Sequence, residues 1–299
     1  MPTQTYESIL ERLDRGIEHC SRIGFAELVK ESRFVQYRQW LADLIQIIHA
    51  SPPQGSVARE TREHLTQRAD EYRASIVESA EFGEVMEYLN DVDKDVLRPK
   101  LENILRGPLL PRDEDSNSNL SRNVLFELRL ASVLKRAGYS VELSVHPDVR
   151  CSIDSTTLFF ECKRPYSEAK VARRIGDAGA QLLKNIKAYG TADTLGLLVI
   201  SVAKLFSRDQ SPKLALNDKA AMESMDEWLM QVARGSRESW GKFEDSKAIS
   251  GILFHLSGVF RNAESERYDV GQWWIGVRFP SSRGTVVDKL VESLTALSK

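Results

Sequence analysis

The run TLGLLVISVA, at positions 194–203, constrains the fold of this chain more than any other stretch of its sequence. It is apolar almost throughout, yet far too short to span a bilayer. A continuous apolar run of this length is typical of a strand that is buried on both faces, as in sheets covered by helices on each side. The run therefore predicts an α/β architecture.

The pattern around this run supports a mixed sheet flanked by helices. A helix at about 120–137 ends at Gly138, and a second, longer helix fills about 168–189. Five further segments complete the pattern, namely strands in YSVELSV, PDVRCSI, TTLFFECKR, AISGILFHLSGVF and QWWIGVRFP. A polar, mostly helical insertion is predicted at about 205–247, and a helix closes the chain.

The part of the chain before residue 107 has a different character. Apolar residues recur there at spacings of three and four, which predicts an all-helical N-terminal domain over 1–106, with a break at SPPQGS, 51–56. The stretch GPLLPRDEDSNSN, 107–119, has no periodicity and is predicted to be a linker. The domain that carries the sheet is then 120–299.

Composition narrows the functional classes. Three cysteines without C-x-x-C spacing argue against a disulfide framework and a structural zinc site, and the absence of a signal-peptide pattern predicts a cytoplasmic, non-membrane protein. The net charge is −2, but residues 120–190 contain 12 Lys and Arg against 7 Asp and Glu. This local excess suggests a face that binds an anion such as nucleic acid, although a set of solvated helix faces is the more common reason for such an excess.

The stretch HPDVRCSIDSTTLFFECKRP, 146–165, places charged residues in what reads as a hairpin. If Asp154 and Ser155 form a two-residue turn, Asp148 lies across from Glu161, and Lys163 shares their face. Like charges that face each other across strands repel, and a divalent cation would relieve the repulsion. Mg²⁺ prefers such oxygen ligands, and Lys163 would then stabilise negative charge or orient a water.

A third carboxylate comes from the helix before the hairpin. On a helical wheel, Glu127 falls on the apolar face with Leu120, Val124 and Leu134, whereas Arg129 falls on the opposite side. An uncompensated charge on a buried face is costly, so Glu127 is predicted to point toward the hairpin carboxylates. An ion pair between Glu127 and Arg150 is the structural alternative.

These residues resemble the motif of the PD-(D/E)xK nuclease superfamily, which has the restriction-endonuclease-like fold. Pro147-Asp148 matches the first half, Glu161-Cys162-Lys163 matches the second, and Glu127 lies where many members carry a glutamate. The resemblance covers about 120–203, or about 120–280 if the later strands are included, and does not reach the helical N-terminal domain. Gln181 matches a glutamine that some members carry after the lysine, but position 185 is Asn where one branch has tyrosine.

The resemblance implies a nuclease, an enzyme that hydrolyses phosphodiester bonds of DNA with Mg²⁺ or Mn²⁺. The implied catalytic residues are Asp148, Glu161, Lys163, Glu127 and Gln181. The predicted metal-binding set is Glu127, Asp148, Glu161 and Cys162, although strand alternation directs the Cys162 side chain to the other face. The predicted nucleic-acid-binding residues are Arg150, Arg164, Arg173 and Arg174.

Several alternatives stay open at this point. Each of these residues also has a structural reading, and a second acid-x-Lys instance, Asp245-Ser246-Lys247, lies in a stretch without strand character. The competing class is a non-catalytic member of the same fold that binds nucleic acid or a protein partner. RNA substrates, a homodimer, and a role in phage defence or mobile-element biology are all compatible with the sequence.

Overall fold

The computed structural model describes residues 5–50, 59–115, 118–143, 146–206, 213–262, 268–280 and 285–298. Its contacts divide the chain into two compact units, Pro2–Leu125 and Phe126–Lys299. This division falls inside one helix, whereas the predicted linker covers 107–119. The predicted break at 51–56 lies outside the described residues.

The first unit is helical over its described residues, as predicted for the N-terminal part of the chain. Its elements are α1 (Tyr6–Cys20), a π-helical segment (Ser21–Phe25), α2 (Ala26–Lys30), α3 (Arg33–Ala50), α4 (Arg59–Gln67), α5 (Ala69–Tyr88), α6 (Lys94–Leu105) and a 3-10 turn (Pro111–Asp113). Helix α5 packs against α1 and α3. Between α3 and α5, the rings of Phe34 and Phe82 stack with their centroids 4.1 Å apart.

A buried ionic network lies inside this helical unit. Glu78 on α5 accepts hydrogen bonds from Arg33 Nε at 2.8 Å and from Arg122 Nε at 2.7 Å. Arg122 also donates to the carbonyl oxygens of Pro108 and Leu109, both at 3.1 Å. Burial raises the pKa of Glu78, but the two guanidinium charges outweigh it and leave that pKa lowered. The described part of the predicted linker is therefore tied to the helices through Arg122.

The second unit contains a mixed sheet, so the predicted α/β class is confirmed. Helix α7 (Leu120–Arg136) spans the division between the units and leads into this one. The further elements are β1 (Ser140–Leu143), β2 (Val149–Ile153), β3 (Thr156–Lys163), α8 (Glu168–Tyr189), β4 (Thr194–Ser201), α9 (Ala203–Phe206), β5 (Lys213–Ala215), α10 (Asp218–Gly235), α11 (Arg237–Gly241), β6 (Ile249–Asn262), β7 (Tyr268–Arg278) and α12 (Val286–Ser298).

Seven described strands form one sheet in the order β1-β2-β3-β4-β6-β5, and β7 pairs with β6. Strands β1, β2 and β3 are antiparallel neighbours, whereas β3, β4 and β6 run parallel. Helix α8 makes the crossover from β3 to β4 that a parallel pair requires. All eight residues of β4 are buried, as the apolar run predicts.

Helices cover both faces of the sheet. On one face, α8, α10 and α11 enclose a hydrophobic cluster with Phe159, Leu198 and Phe254. Strand alternation places His255 on the other face, where its ring centroid lies 5.2 Å from that of Phe126 on α7. Burial, with the charges of Arg129 and Arg164, lowers the pKa of His255 well below its ordinary value. His255 is therefore a neutral ring packed in the interior.

Two sequence expectations about this unit are wrong. Helix α7 is not amphipathic in the predicted sense, because Arg129 is 5% exposed, while Leu120 is 52% exposed. The helical wheel assumes one buried face and one exposed face, whereas most side chains around α7 are buried. The insertion at 205–247 is mostly helical over its described residues, as predicted, but its predicted polar character is wrong, since Met225 and Trp240 belong to the hydrophobic cluster.

Within the described ranges, no helix combines the length and the apolar character that a membrane span requires.

Candidate active site

The hairpin of β2 and β3 adopts the predicted register. Ile153 pairs with Thr156, and the pairing continues to Val149 opposite Phe160. Continuing this pairing by one residue on each side of the hairpin places Asp148 opposite Glu161. Asp154 closes the two-residue turn with a φ of +53°, a value that Asp tolerates better than most residues.

Glu161 and Lys163 form the centre of the candidate site. The Glu161 side chain is completely buried, and its Oε1 accepts a hydrogen bond from Lys163 Nζ at 2.7 Å. The two residues end β3 on the same face of the strand, two positions apart. The Lys163 side chain retains 18% exposure, so this ion pair lies at the border between core and solvent.

Asp148 joins this pair from the residue before β2. Its Oδ2 accepts a hydrogen bond from the backbone N–H of Cys162 at 2.8 Å. Its carboxyl group also lies within hydrogen-bonding reach of Glu161. The structure therefore brings together the two hairpin carboxylates and the lysine.

Helix α8 contributes two amide side chains one turn apart. Gln181 Oε1 accepts a hydrogen bond from Lys163 Nζ at 3.3 Å. Asn185 Nδ2 donates to Glu161 Oε2, also at 3.3 Å. Gln181 is a predicted site residue, whereas the sequence reasoning missed Asn185. The spacing of four residues on one helix face was the available signal, because it directs both side chains to the same place.

The helix is held close to the sheet where these amides project. A Cβ atom added to Gly196 on β4 would lie 2.7 Å from a methyl carbon of Leu182. A Cβ added to Gly179 would lie 2.0 Å from the ring of Phe243. The two glycines thus let α8 approach its neighbours more closely than any other residue would, which fixes the distance from the amides to β3.

The electrostatics of the site reflect two crowded carboxylates. Burial and the neighbouring Asp148 charge raise the pKa of Glu161 to about 7, against the opposing influence of Lys163. Burial lowers the pKa of Lys163, but Glu161 and Asp148 outweigh it and leave that pKa raised. Lys163 is therefore an ammonium group at neutral pH.

Glu127 and Cys162 lie near the site without completing a metal cage. Burial, followed by the charges of Asp148 and Glu127, raises the pKa of the Cys162 thiol, so Glu127 approaches Cys162. Among the described residues, however, no three His, Cys, Asp or Glu side chains are arranged to hold a metal ion. The predicted four-residue metal set is thus not gathered as one group, and Asp148 with Glu161 forms its compact part.

The arginines predicted to bind nucleic acid have different surroundings. Arg150 lies over the Phe159 ring at 4.8 Å from its centroid, and its Nη1 is 3.6 Å from Glu142. The ionic neighbour of Arg150 is thus Glu142 on β1, not the predicted alternative Glu127. Arg173 and Arg174 both lie near Asp177 on α8, at 3.9 Å and 3.7 Å. Arg164, the residue after Lys163, is half-buried.

Comparison with known proteins does not assign the chain to a family. No protein-family model matches the chain, and no curated protein matches it at significant similarity.

The raised pKa of Glu161 predicts the pH dependence of stability in metal-free protein. The pKa of Glu161 is about 7 in the folded protein and near 4.5 in the unfolded chain. The protonated Glu161 carboxyl group therefore makes its full contribution to folding stability below pH 4.5. This contribution is lost as the pH rises through the folded value. We therefore expect the stability of Glu161→Gln relative to wild type to increase from about pH 5 to about pH 8, by on the order of 2 kcal/mol.

Thermal and urea unfolding in a chelator, at several pH values, measure this change. Glu292→Gln on α12 is the matched control, since it makes the same substitution at an exposed position. A stability of Glu161→Gln relative to wild type that stays constant or falls as the pH rises would contradict the assignment.

Proposed function

We propose that this protein is a metal-dependent nuclease that hydrolyses phosphodiester bonds of DNA. The single observation that carries the proposal is the meeting of Asp148, Glu161, Lys163 and Gln181 at one end of β3. Two acids and a lysine in this arrangement can supply the oxygen ligands and the cationic donor that phosphodiester hydrolysis requires.

The two carboxylates fit a magnesium or manganese ion. Mg²⁺ is commonly held by one or two carboxylates while it keeps several waters. Asp148 and Glu161 are adjacent acids; burial, followed by the charge of Asp148, raises the pKa of Glu161, and a cation would offset the repulsion between the two carboxylates. Asp148 and Glu161 would thus hold the ion. When bound, such an ion supplies Lewis-acid polarisation of the phosphate and a more acidic water.

The residues of the chain have distinct parts in this proposal. Lys163 is protonated, so it acts as a hydrogen-bond donor to negative charge that develops on the phosphate, not as a general base. Gln181 accepts a hydrogen bond from the same ammonium and limits the directions in which it can point. The Cys162 N–H fixes the Asp148 carboxylate through the backbone of β3.

We also propose that the chain belongs to the PD-(D/E)xK superfamily and has its restriction-endonuclease-like fold. The order of α7, three antiparallel strands, the α8 crossover and a parallel β4 supports this assignment. So does the placement of the Pro147-Asp148 and Glu161-Cys162-Lys163 motifs, one before β2 and one at the end of β3. Arg164, Arg173 and Arg174 are proposed to contact the phosphate backbone near this site.

Incubation of the purified chain with nucleic acids tests the proposed activity. Linear duplex, circular duplex, single-stranded DNA and RNA are each incubated with Mg²⁺, with Mn²⁺, and with a chelator. We expect cleavage of DNA in either metal and none in the chelator, and the products distinguish cutting within the strand from cutting at its ends. Binding of DNA in a mobility-shift assay without cleavage in either metal would instead support the non-catalytic class.

A further inference from the structure

Asn185 is a buried polar residue whose position in the site is not explained by the motif. Only 4% of its surface is exposed, and its Nδ2 donates to Glu161 Oε2 at 3.3 Å. Lys163 Nζ contacts the other oxygen, Oε1, at 2.7 Å. The two oxygens of one carboxylate are thus held by two different donors, which fixes the plane of that carboxylate.

The two donors differ in how firmly they are anchored. Lys163 is a long, flexible side chain that shares its ammonium group with Gln181 and is partly exposed. Asn185 has a short side chain on a helix that packs tightly against β4 at Gly196. A short amide on a fixed helix loses little conformational freedom when it forms its hydrogen bond. Asn185 is therefore the more firmly anchored of the two donors, although its hydrogen bond of 3.3 Å is longer than the 2.7 Å bond from Lys163.

We propose that Asn185 is a positioning residue that orients the Glu161 carboxylate for metal binding. This inference rests on the proposed function, because it assigns a role to Asn185 only if Glu161 holds a metal. Groups that hydrogen-bond to a ligating carboxylate orient it and typically change metal affinity by about 10- to 100-fold when they are removed. Asn185 acts through Glu161 and is not expected to touch the nucleic acid.

The test compares Mn²⁺ binding to the whole chain and to Asn185 variants by titration calorimetry, without nucleic acid. Asn185→Leu keeps the approximate size and removes the donor, and Asn185→Ala is the second variant if the leucine form does not fold. We expect the dissociation constant for Mn²⁺ to rise about 10- to 100-fold in the variant. In cleavage assays, the Mn²⁺ concentration for half-maximal rate should rise similarly, while the KM for DNA stays within about twofold, because no substrate contact is lost.

Leu183→Gln is the matched control, since Leu183 lies on the same turn of α8 and is 38% exposed. Its Mn²⁺ affinity should equal that of wild type. An Asn185 variant that folds and binds Mn²⁺ within twofold of wild type overturns the inference while leaving the proposed function intact. An equal loss of affinity in Leu183→Gln also overturns it. Wild-type protein that neither binds Mn²⁺ nor cleaves DNA overturns the proposed function, and the inference with it.

Discussion

Substitution of the residues at the end of β3 is expected to have the largest effect on activity. Glu161→Gln and Asp148→Asn should each abolish metal-dependent cleavage, because each removes one of two adjacent carboxylates proposed to hold the ion. Lys163→Met should lower kcat by roughly 10²- to 10³-fold, the usual cost of removing one donor that stabilises transition-state charge. Single-turnover cleavage of a labelled DNA measures these rates.

The chain contains its own control for this experiment. Asp245-Ser246-Lys247 repeats the acid-x-Lys spacing, but it lies between α11 and β6, and Asp245 and Lys247 are exposed. The Asp245→Asn protein should therefore cleave the labelled DNA at the wild-type rate. Wild-type cleavage by Glu161→Gln or Asp148→Asn would show that the proposed site is wrong. Circular dichroism of each variant separates lost chemistry from lost folding.

Glu127 should behave differently from the hairpin carboxylates. It is half-buried and close enough to Cys162 to influence the thiol, but the described residues contain no three-acid metal group. We therefore expect Glu127→Gln to weaken the thermal stabilisation by Mn²⁺ without abolishing cleavage. Complete loss of cleavage in a folded Glu127→Gln protein would place Glu127 among the direct ligands.

The second large effect concerns stability of the helical unit. Glu78→Gln should destabilise it by about 3–5 kcal/mol, because Arg33 would keep its buried charge beside a neutral partner and Arg122 would keep only Glu114, 3.5 Å away, as an anionic neighbour among the described residues. The side chains of Arg33 and Arg122 are only 1% and 2% exposed, so water cannot replace the carboxylate. Urea unfolding followed by far-UV circular dichroism measures the loss.

A surface ion pair in the same unit provides the comparison. Glu27 and Lys30 lie 2.7 Å apart, with side chains 86% and 68% exposed, and Glu27→Gln should change stability by less than about 0.5 kcal/mol. The lowered pKa of Glu78 gives a second readout. Its stabilising contribution is present above the unfolded pKa and is lost as the pH falls through the folded value, so acid should erase the difference between wild type and Glu78→Gln. Equal costs for the two substitutions would contradict the buried network.

The sequence predicted the hairpin well because its register depends on local rules. Side chains alternate along a strand, so a two-residue turn at Asp154 and Ser155 was sufficient to place Asp148 near Glu161 and Lys163. The crossover helix was equally accessible, since its apolar stripe and its end near Gly190 are visible in a short window. These features required no knowledge of distant parts of the chain.

Contacts between distant segments were not predictable in this way. Arg122 is 44 residues from Glu78 in sequence, and nothing in the pattern around either residue indicates that they are partners. For the same reason, the wheel placed Arg129 on the solvent side of α7, whereas the fold buries it. The motif has tyrosine at position 185 in one branch, so the asparagine there counted only as a mismatch. The useful signal was its spacing of four residues from Gln181, which places both amides on the same face of α8.

The close packing of α8 has a consequence for how mutational scans of this protein should be interpreted. Gly179 and Gly196 carry no chemical group, yet any larger residue at either position would collide with Phe243 or Leu182. Such a collision would shift α8 and separate its amides from β3. In a screen scored by activity, both glycines would then rank with the acids and the lysine. A screen scored by abundance as well would separate the two groups, because the glycine variants would accumulate less protein.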